Sequence, residues 1–348
     1  MVTGSPVSDL RKEQRPIAPK ATPTTVHAPA APPCWTLSIG VAGMLSQMHG
    51  LARAVGRDFV NIETRLRSPW RWFPLSAIPC SPRVIRQHDA IAGDTSPQLV
   101  ISCGRHSVIP SLWLKQKFGD DVLTVHIQDP TIDPGRFDLV VAPEHDQVRG
   151  SNVIETAGAL HRISQGVLEE AAQSPAADRL RVDGRPLVSV ILGGPNRYYA
   201  FPEEDIARLA GRLDQLVRTS GARLAIIGSR RTPASLRERL YNSFGNAHFV
   251  WDGESENPYL TALAIADAIV VTGDSVSMVS EAAATGHPVL VEYLSERRRA
   301  RRFQRFHESF QRRGITRPFE GRLETWSYEP PRDTEAVAQI IRERLSQG

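Results

Sequence analysis

From residue 35 onward, short apolar runs alternate with longer segments whose apolar residues recur at helical spacing. Most of the runs end in Gly, Asp or Ser, and a helical segment follows. Strands that are apolar on both faces and alternate with helices are typical of a parallel sheet covered on both sides. In the first half of the chain the runs are TLSIGVAG, PQLVISCG, DVLTVHIQD, FDLVVAPEHD and NVIETAGAL.

The alternation restarts after a polar stretch at residues 164–185, in which we predict one helix. Two parallel sheets in tandem leave a cleft between the carboxyl ends of their strands, where open α/β sheets bind ligands. The second series of runs is PLVSVILGG, ARLAIIGS, NAHFVWDG, DAIVVTGD and PVLVEYL, with helices predicted at 203–220, 234–244, 258–266 and 276–285.

These patterns predict an α/β protein with two Rossmann-like, doubly wound domains that face a cleft. The first 33 residues contain seven prolines among Ala, Thr and Ser, a composition that buries too little apolar surface to fold. We therefore expect a disordered tail there. The predicted divisions are 1–33 for the tail, 34–180 for the first domain, 181–330 for the second domain and 331–348 for a C-terminal helix.

Composition narrows the class of protein. Lys and Arg total 42 against 38 Asp and Glu, a formal net charge of +4 that does not indicate nucleic-acid binding. The three cysteines lie too far apart for a metal knuckle or a disulfide framework, which fits a reducing cytoplasm. No apolar run approaches the roughly 18 residues that cross a bilayer. We expect a cytoplasmic protein that meets a membrane only peripherally, at its inner face.

Three loops of the second domain are suited to anions. Paired glycines, paired arginines and a helix-capping Asp-Ser pair follow the strand ends, where backbone N–H groups can bind phosphate. Glu281 lies on the same helical stripe as the capping loop and can accept both hydroxyls of a ribose; the alternative is a solvated helix residue, which its apolar neighbours disfavour. The candidate donor-binding residues are Gly193, Gly194, Asn196, Ser229, Arg230, Arg231, Asp274, Ser275, Ser277 and Glu281.

Polar residues also follow strands of the first domain. Such a set is suited to general-base work on an acceptor hydroxyl, although each residue alone also fits a helix cap or a satisfied polar group. The candidate catalytic residues are His106, Asp129, Glu144, His145 and Asp146.

Several motifs are absent from the sequence. It contains no D-x-D triplet and no closely spaced His/Cys ligand set, so we predict neither a bound metal nor a cofactor. It also lacks a P-loop and a G-x-S-x-G elbow. The loop at Gly40 lacks the third glycine of a dinucleotide fingerprint, which disfavours a dehydrogenase.

The run at 296–317 carries nine arginines, and Phe303, Phe306 and Phe310 share one helical stripe. This pattern predicts a basic amphipathic helix that packs by its Phe face. Its arginines are suited to substrate phosphates or to an anionic membrane surface.

Taken together, several stretches resemble the mitochondrial-fission family named for elongated mitochondria in plants, whose bacterial members are described as GT-B glycosyltransferases. The resemblance covers about residues 35–345. One departure is Ile39, which stands where many members have an Asp before the glycine. The matching stretches are Gly43, Gln47, Gly50, Leu51 and Ala52 of a GxxxQxxGLA pattern, then Gly104-Arg105, QDP, FDLVVAPEHD, GGPN, GSRRTP, WDG with NPY, and TGDSVSMVSEA.

The resemblance implies a GT-B fold whose second domain binds a nucleotide-diphosphate sugar and whose first domain presents a lipid or glycan acceptor. By similarity to the undecaprenyl-linked N-acetylglucosaminyltransferase, Glu281 would hold the ribose. As in GT-B proteins generally, the final helix would cross back to the first domain. We therefore predict a metal-independent glycosyltransferase. Two alternatives remain open: a non-catalytic adaptor that recruits a membrane-remodelling partner, and a sugar-nucleotide epimerase.

Overall fold

Two six-stranded parallel sheets, one in each half of the chain, form the framework of the protein. The computed structural model describes residues 34–86, 89–93 and 95–347, so the predicted tail at 1–33 lies outside the described residues. The strands are β1 (Cys34–Ser38), β2 (Phe59–Glu63), β3 (Leu99–Cys103), β4 (Leu123–Ile127), β5 (Leu139–Pro143), β6 (Val153–Thr156), β7 (Leu187–Leu192), β8 (Arg223–Gly228), β9 (Phe249–Val250), β10 (Ala268–Thr272), β11 (Val289–Glu292) and β12 (Thr316–Pro318).

Helices connect and cover the strands, together with short 3₁₀ turns. The α-helices are α1 (Ala42–Val55), α2 (Asp89–Ala92), α3 (Arg105–Phe118), α4 (Gln165–Ala172), α5 (Ala176–Leu180), α6 (Glu203–Ser220), α7 (Ala234–Phe244), α8 (Tyr259–Ile265), α9 (Val276–Ala283), α10 (Arg301–Arg312) and α11 (Asp333–Gln347).

The strand order places the ligand-binding edge of each sheet. In the C-terminal sheet the order is β12-β11-β10-β7-β8-β9, which is that of a Rossmann dinucleotide fold. In the N-terminal sheet it is β2-β1-β3-β4-β5-β6, the flavodoxin-like order. The order in which strands are added to the C-terminal sheet reverses between β7 and β10, which pair in parallel, so the loops after these two strands lie side by side. The predicted doubly wound α/β fold is confirmed.

The central strands of both sheets are buried on both faces because they carry apolar residues at successive positions. In β7, for example, Val188 and Val190 belong to one core cluster, and Leu187 and Ile191 belong to another on the opposite face. Helix α6 shows how local signals set an element: Pro202 precedes it, three acidic residues occupy its first turn, and Gly221 ends it with a φ of 67°.

Some elements differ from the sequence expectation. Strand β2 was not predicted, because only Ile62 of its five residues is buried and the strand lies at the sheet edge. The short edge strand β12 was not predicted either. The stretch at 164–185 forms two helices, α4 and α5, because Pro175 starts a new helix after α4 has ended.

Helix α11 returns to the N-terminal half and packs along α1. Its buried residues Val337, Ala338 and Ile341 join the core cluster that contains Met48 and Leu51 of α1. The carboxylate of Asp333 accepts hydrogen bonds from the backbone N–H groups of Ala157 and Gly158, at 3.0 and 3.2 Å.

One buried core histidine predicts acid sensitivity. His126 of β4 is fully buried beside Ser102, and burial lowers its pKa from 6.5 to about 3. The unfolded chain takes up this proton below about pH 6.5 and the folded chain does not, so the free energy of unfolding falls as the pH falls through that range. Between pH 7 and pH 5 this residue alone should lower the free energy of unfolding by about 2 kcal/mol.

Urea titrations of the wild type and of His126→Asn at pH 7 and pH 5 test this expectation. The variant should start less stable at pH 7 and lose about 2 kcal/mol less than the wild type on acidification. Equal losses in the two proteins would contradict it.

Candidate functional site

A cleft of about 600 Å³ lies between α1 of the N-terminal half and the carboxyl ends of β7, β8 and β10. Four arginines and one carboxylate line it, so the cleft favours an anionic ligand. These charged residues are Arg53, Arg162, Arg230, Arg231 and Glu281.

Six of the ten predicted donor-binding residues line this cleft, and they come from the loop after β8 and from α9 with its N-cap. The other four form the junction between the loops that follow β7 and β10. The cleft-lining residues are Ser229, Arg230, Arg231, Ser275, Ser277 and Glu281, and the junction residues are Gly193, Gly194, Asn196 and Asp274.

The carboxylate of Asp274 holds the junction together and is fully buried. It accepts hydrogen bonds from the Thr272 hydroxyl at 2.7 Å and from the Gly194 N–H at 3.1 Å. It also forms a 2.7 Å ion pair with Arg231. A Cβ on Gly193 would lie 2.2 Å from this carboxylate, so only glycine permits the approach.

The Asn196 side chain makes hydrogen bonds to backbone groups of the neighbouring loops. Its side-chain amide donates to the Asp274 carbonyl at 3.0 Å, and its side-chain oxygen accepts from the N–H groups of Tyr198 and Tyr199. Asn196 and Asp274 therefore shape the loops at the cleft rather than face it.

Glu281 lies on the buried side of α9, with 8% of its surface exposed, at the wall of the cleft. One carboxylate oxygen accepts a 2.6 Å hydrogen bond from Ser46 of the N-terminal half, and the other accepts a 2.5 Å bond from Tyr259. Burial, followed by the charge of Glu281, raises the pKa of Tyr259 well above its usual value, which keeps that hydroxyl a donor. Two hydroxyl donors thus orient the carboxylate.

Helix α1 supplies residues that the sequence interpretation missed. Ser46, His49 and Arg53 have the i, i+3, i+7 spacing of one helical face, and all three line the cleft. The His49 ring stacks on Phe59 at 4.5 Å, and its Nε2 lies 3.4 Å from the Asn61 side-chain oxygen. Partial burial lowers the pKa of His49 below 6.5, against the effect of the Asn61 hydrogen bond, so the imidazole is neutral at pH 7. This helical spacing was the sequence signal that could have identified the three residues as one face.

None of the five predicted catalytic residues is among those lining the cleft. Two of them bind α10 of the C-terminal half. Glu144 accepts hydrogen bonds from Ser309 at 3.0 Å and Arg313 at 2.8 Å, and these, the Ser309 bond first, lower its pKa. Asp146 accepts from Arg302 at 2.9 Å, while burial raises its pKa to about 6.

The other three predicted catalytic residues have different surroundings. His145 is buried against Phe306, and burial lowers its pKa to about 3. His106 accepts a 3.1 Å hydrogen bond at Nδ1 from the Leu66 N–H, and burial lowers its pKa as well. Asp129 is exposed, and its carboxylate accepts from the Thr131 N–H at 2.7 Å.

The arginine-rich run forms α10 and its flanks, with Phe306 and Phe310 fully buried as the stripe predicted. For three of its arginines, the assignment to substrate phosphates needs a correction. Arg302 and Arg313 bind carboxylates of the N-terminal half, and Arg305 donates to the His145 carbonyl at 2.7 Å. These three arginines fasten the two halves together because their partners follow β5.

In the part of the chain that the structure describes, no group of three or more His, Cys, Asp or Glu side chains is arranged to hold a metal ion. Within the same residues, no helix combines the length and the apolar character needed to cross a bilayer.

Two facing Rossmann-like halves with a basic cleft between them define a GT-B-like protein. The chain belongs to the Mitochondrial fission ELM1 family, whose model matches residues 42–345. It is 32% identical over 281 residues to the mitochondrial fission protein ELM1 of Arabidopsis thaliana, covering 72% of this chain and 65% of that protein, slightly less than two thirds of the relative's length. It is 26% identical to the uncharacterized protein RP120 of Rickettsia prowazekii, over 71% of this chain and 79% of that protein.

Solved structures show the same fold. The UDP-GlcNAc 2-epimerase of Methanocaldococcus jannaschii matches with a TM-score of 0.54 at 10% identity, over 90% of this chain and 100% of that one. The UDP-GlcNAc 2-epimerase of Neisseria meningitidis, bound to UDP-GlcNAc, matches with a TM-score of 0.52 at 14% identity and the same coverage. At such identities the likeness concerns the fold alone.

Proposed function

We propose that the cleft binds a nucleotide-diphosphate sugar and that the protein transfers the sugar to an acceptor held by the N-terminal half. The observation that carries the proposal is the convergence of Arg230, Glu281 and the capped start of α9 on one basic cleft. The UDP-GlcNAc held by the Neisseria neighbour supports the same ligand class.

The diphosphate would lie against the loop after β8 and the start of α9. Backbone N–H groups at a helix start favour an anion, and Ser275 caps α9 by accepting from the Met278 N–H. Arg231 is already bound to Asp274 and to the Gly194 carbonyl, whereas Arg230 is exposed at the cleft. Of the two arginines in the loop after β8, Arg230 is therefore the one that neutralises the leaving diphosphate.

The ribose would bind Glu281. Its carboxylate is already bound by hydroxyl donors, and a ribose hydroxyl can replace the Ser46 hydroxyl with no change in the type of hydrogen bond. Because Ser46 belongs to the other half, donor binding would exchange a contact between the halves for a contact to the ligand.

The acceptor base in this proposal is His49. It lines the cleft from the N-terminal half and is neutral at pH 7, so its free nitrogen can take the proton of an acceptor hydroxyl as the hydroxyl attacks the anomeric carbon. The bond from that carbon to the diphosphate breaks as the new glycosidic bond forms. The diphosphate leaves with the electron pair and is stabilised by Arg230 and the helix start.

A thermal-shift screen of nucleotide sugars tests the proposal, because a ligand that binds the folded state raises the melting temperature. A transferase should be stabilised by at least one donor and turn it over only when an acceptor is added. Turnover of the donor without an acceptor would show an epimerase. Indifference to every nucleotide sugar would favour an adaptor and contradict the proposal.

Metal independence is a further expected outcome. If Arg230 and backbone N–H groups stabilise the leaving diphosphate, turnover should survive excess chelator, because these groups stay in place without divalent ions. Arg230→Ala should lower kcat about 100-fold. Arg239→Ala is the matched control, because Arg239 lies on α7 and pairs with Glu203. Full loss with chelator and full recovery with Mg²⁺ would contradict this mechanism.

A further inference from the structure

The segment between β2 and α2 presents a basic and aromatic surface that the proposed function does not use. Residues 64–86, called here the β2–α2 loop, contain five arginines and no Asp or Glu. Trp72 is 67% exposed and Phe73 is 45% exposed, and both are among the few large apolar side chains so placed in the described chain.

The structure holds this loop in place. Leu66, Leu75 and Ile85 are buried in the N-terminal core, and Leu66 pairs with Ile85 in an antiparallel bridge. Arg67 donates to the Ile85 carbonyl at 2.9 Å. These buried aliphatic residues thus anchor the loop that carries the exposed rings of Trp72 and Phe73.

One of these arginines contacts an exposed ring, and the others lie along the same loop. The Arg71 guanidinium stacks 4.2 Å from the Trp72 ring centroid. Arg83 and Arg86 are exposed on the same loop. The only ion pair that the described residues give to these five arginines joins Arg65 to Glu63 at 3.9 Å, so the positive charge is largely uncompensated.

We infer that the β2–α2 loop docks the protein on an anionic lipid bilayer, with Trp72 and Phe73 at the headgroup boundary and the arginines against acidic headgroups. Trp and Phe rings partition to that boundary, and Arg side chains near it are attracted by negative surface charge. An interfacial contact of this kind needs no membrane-spanning helix. The arginine-rich α10 run does not combine its positive charge with exposed Phe rings in the same way, because Phe306 and Phe310 are buried.

The position of the loop fits an acceptor delivered from the membrane. The loop follows the carboxyl end of β2, which pairs with β1, and the chain after β1 lines the cleft at Val41, Ala42 and Gly43. The bilayer contact itself stands on the loop alone and does not depend on the ligand of the cleft.

Vesicle sedimentation of the full chain tests the inference. One set of vesicles contains phosphatidylcholine with about 30% phosphatidylglycerol, and the other contains phosphatidylcholine alone. The wild type should sediment with the anionic vesicles, less so as salt rises. Trp72→Ala/Phe73→Ala should bind at least about tenfold more weakly, and Arg83→Gln/Arg86→Gln several-fold more weakly.

Two control variants match the changes in chemistry. Tyr241→Ala removes another exposed aromatic ring, and Arg298→Gln/Arg299→Gln removes two exposed arginines before α10. Both should sediment like the wild type, and all variants should keep the wild-type melting temperature because the changed side chains are exposed. Binding of Trp72→Ala/Phe73→Ala at wild-type strength would overturn the inference. So would wild-type protein that ignores anionic vesicles, or that binds RNA but not lipid.

Discussion

Asp274→Ala should destabilise the protein by about 3 to 5 kcal/mol, nearer 3 because the partner guanidinium is partly exposed and can be hydrated. The change removes a fully buried carboxylate that binds the Thr272 hydroxyl, the Gly194 N–H and Arg231. Two buried donors then lose their acceptor. Urea denaturation at pH 7 measures the difference.

Two further variants sharpen this test. Asp274→Asn keeps the volume and one acceptor oxygen, so it should lie between the wild type and the alanine variant. Asp214→Ala breaks an exposed pair with Arg218 on α6 and should cost at most about 1 kcal/mol. If Asp274→Ala costs no more than Asp214→Ala, then this carboxylate does not hold the junction of the loops.

Glu281→Ala should weaken nucleotide-sugar binding by about 1 to 3 kcal/mol, which is roughly 5- to 150-fold. The expected loss comes from charge-assisted hydrogen bonds between the carboxylate and the ribose hydroxyls. Isothermal titration calorimetry with the donor found in the screen measures it, with the melting temperature as a check on folding. An unchanged affinity would make Glu281 a structural residue.

Ser46→Ala tests whether a ribose hydroxyl takes the place of the Ser46 hydroxyl on the Glu281 carboxylate. If a ribose hydroxyl replaces the Ser46 hydroxyl, the variant removes only a competitor, so affinity should stay the same or rise by up to about 1.5 kcal/mol. A loss as large as that of Glu281→Ala would contradict the replacement.

Much of the fold could be predicted from the sequence because its signals are local. Continuous apolar runs identified the buried strands, and prolines with glycines set the ends of α6 and α7. Strand β2 gave no such signal because most of its side chains are exposed. The buried position of Glu281 at the cleft could be predicted because its apolar neighbours on α9 place it on a buried helical face.

The candidate catalytic residues could not be assigned in the same way. The end of a strand predicts the edge at which Glu144 and Asp146 lie, but it does not predict their partners. Arg313 and Arg302 are 169 and 156 residues away along the chain and reach them only through the packing of α10. His49 was missed because the interpretation followed strand ends, whereas this residue faces the cleft from the middle of α1.

The central claim is that a nucleotide sugar binds at the loop after β8 and the start of α9, and hydrogen–deuterium exchange tests it most directly. The probe is the nucleotide sugar with the largest thermal shift. If none stands out, the probe is UDP-GlcNAc at roughly 1 mM, the weak end of specific affinities. Backbone amides at 228–232 and 275–279 should exchange more slowly with ligand in the wild type, and less so in Glu281→Ala, while α7 is unchanged. Unchanged exchange in both segments, or protection confined to other parts of the chain, would contradict the claim.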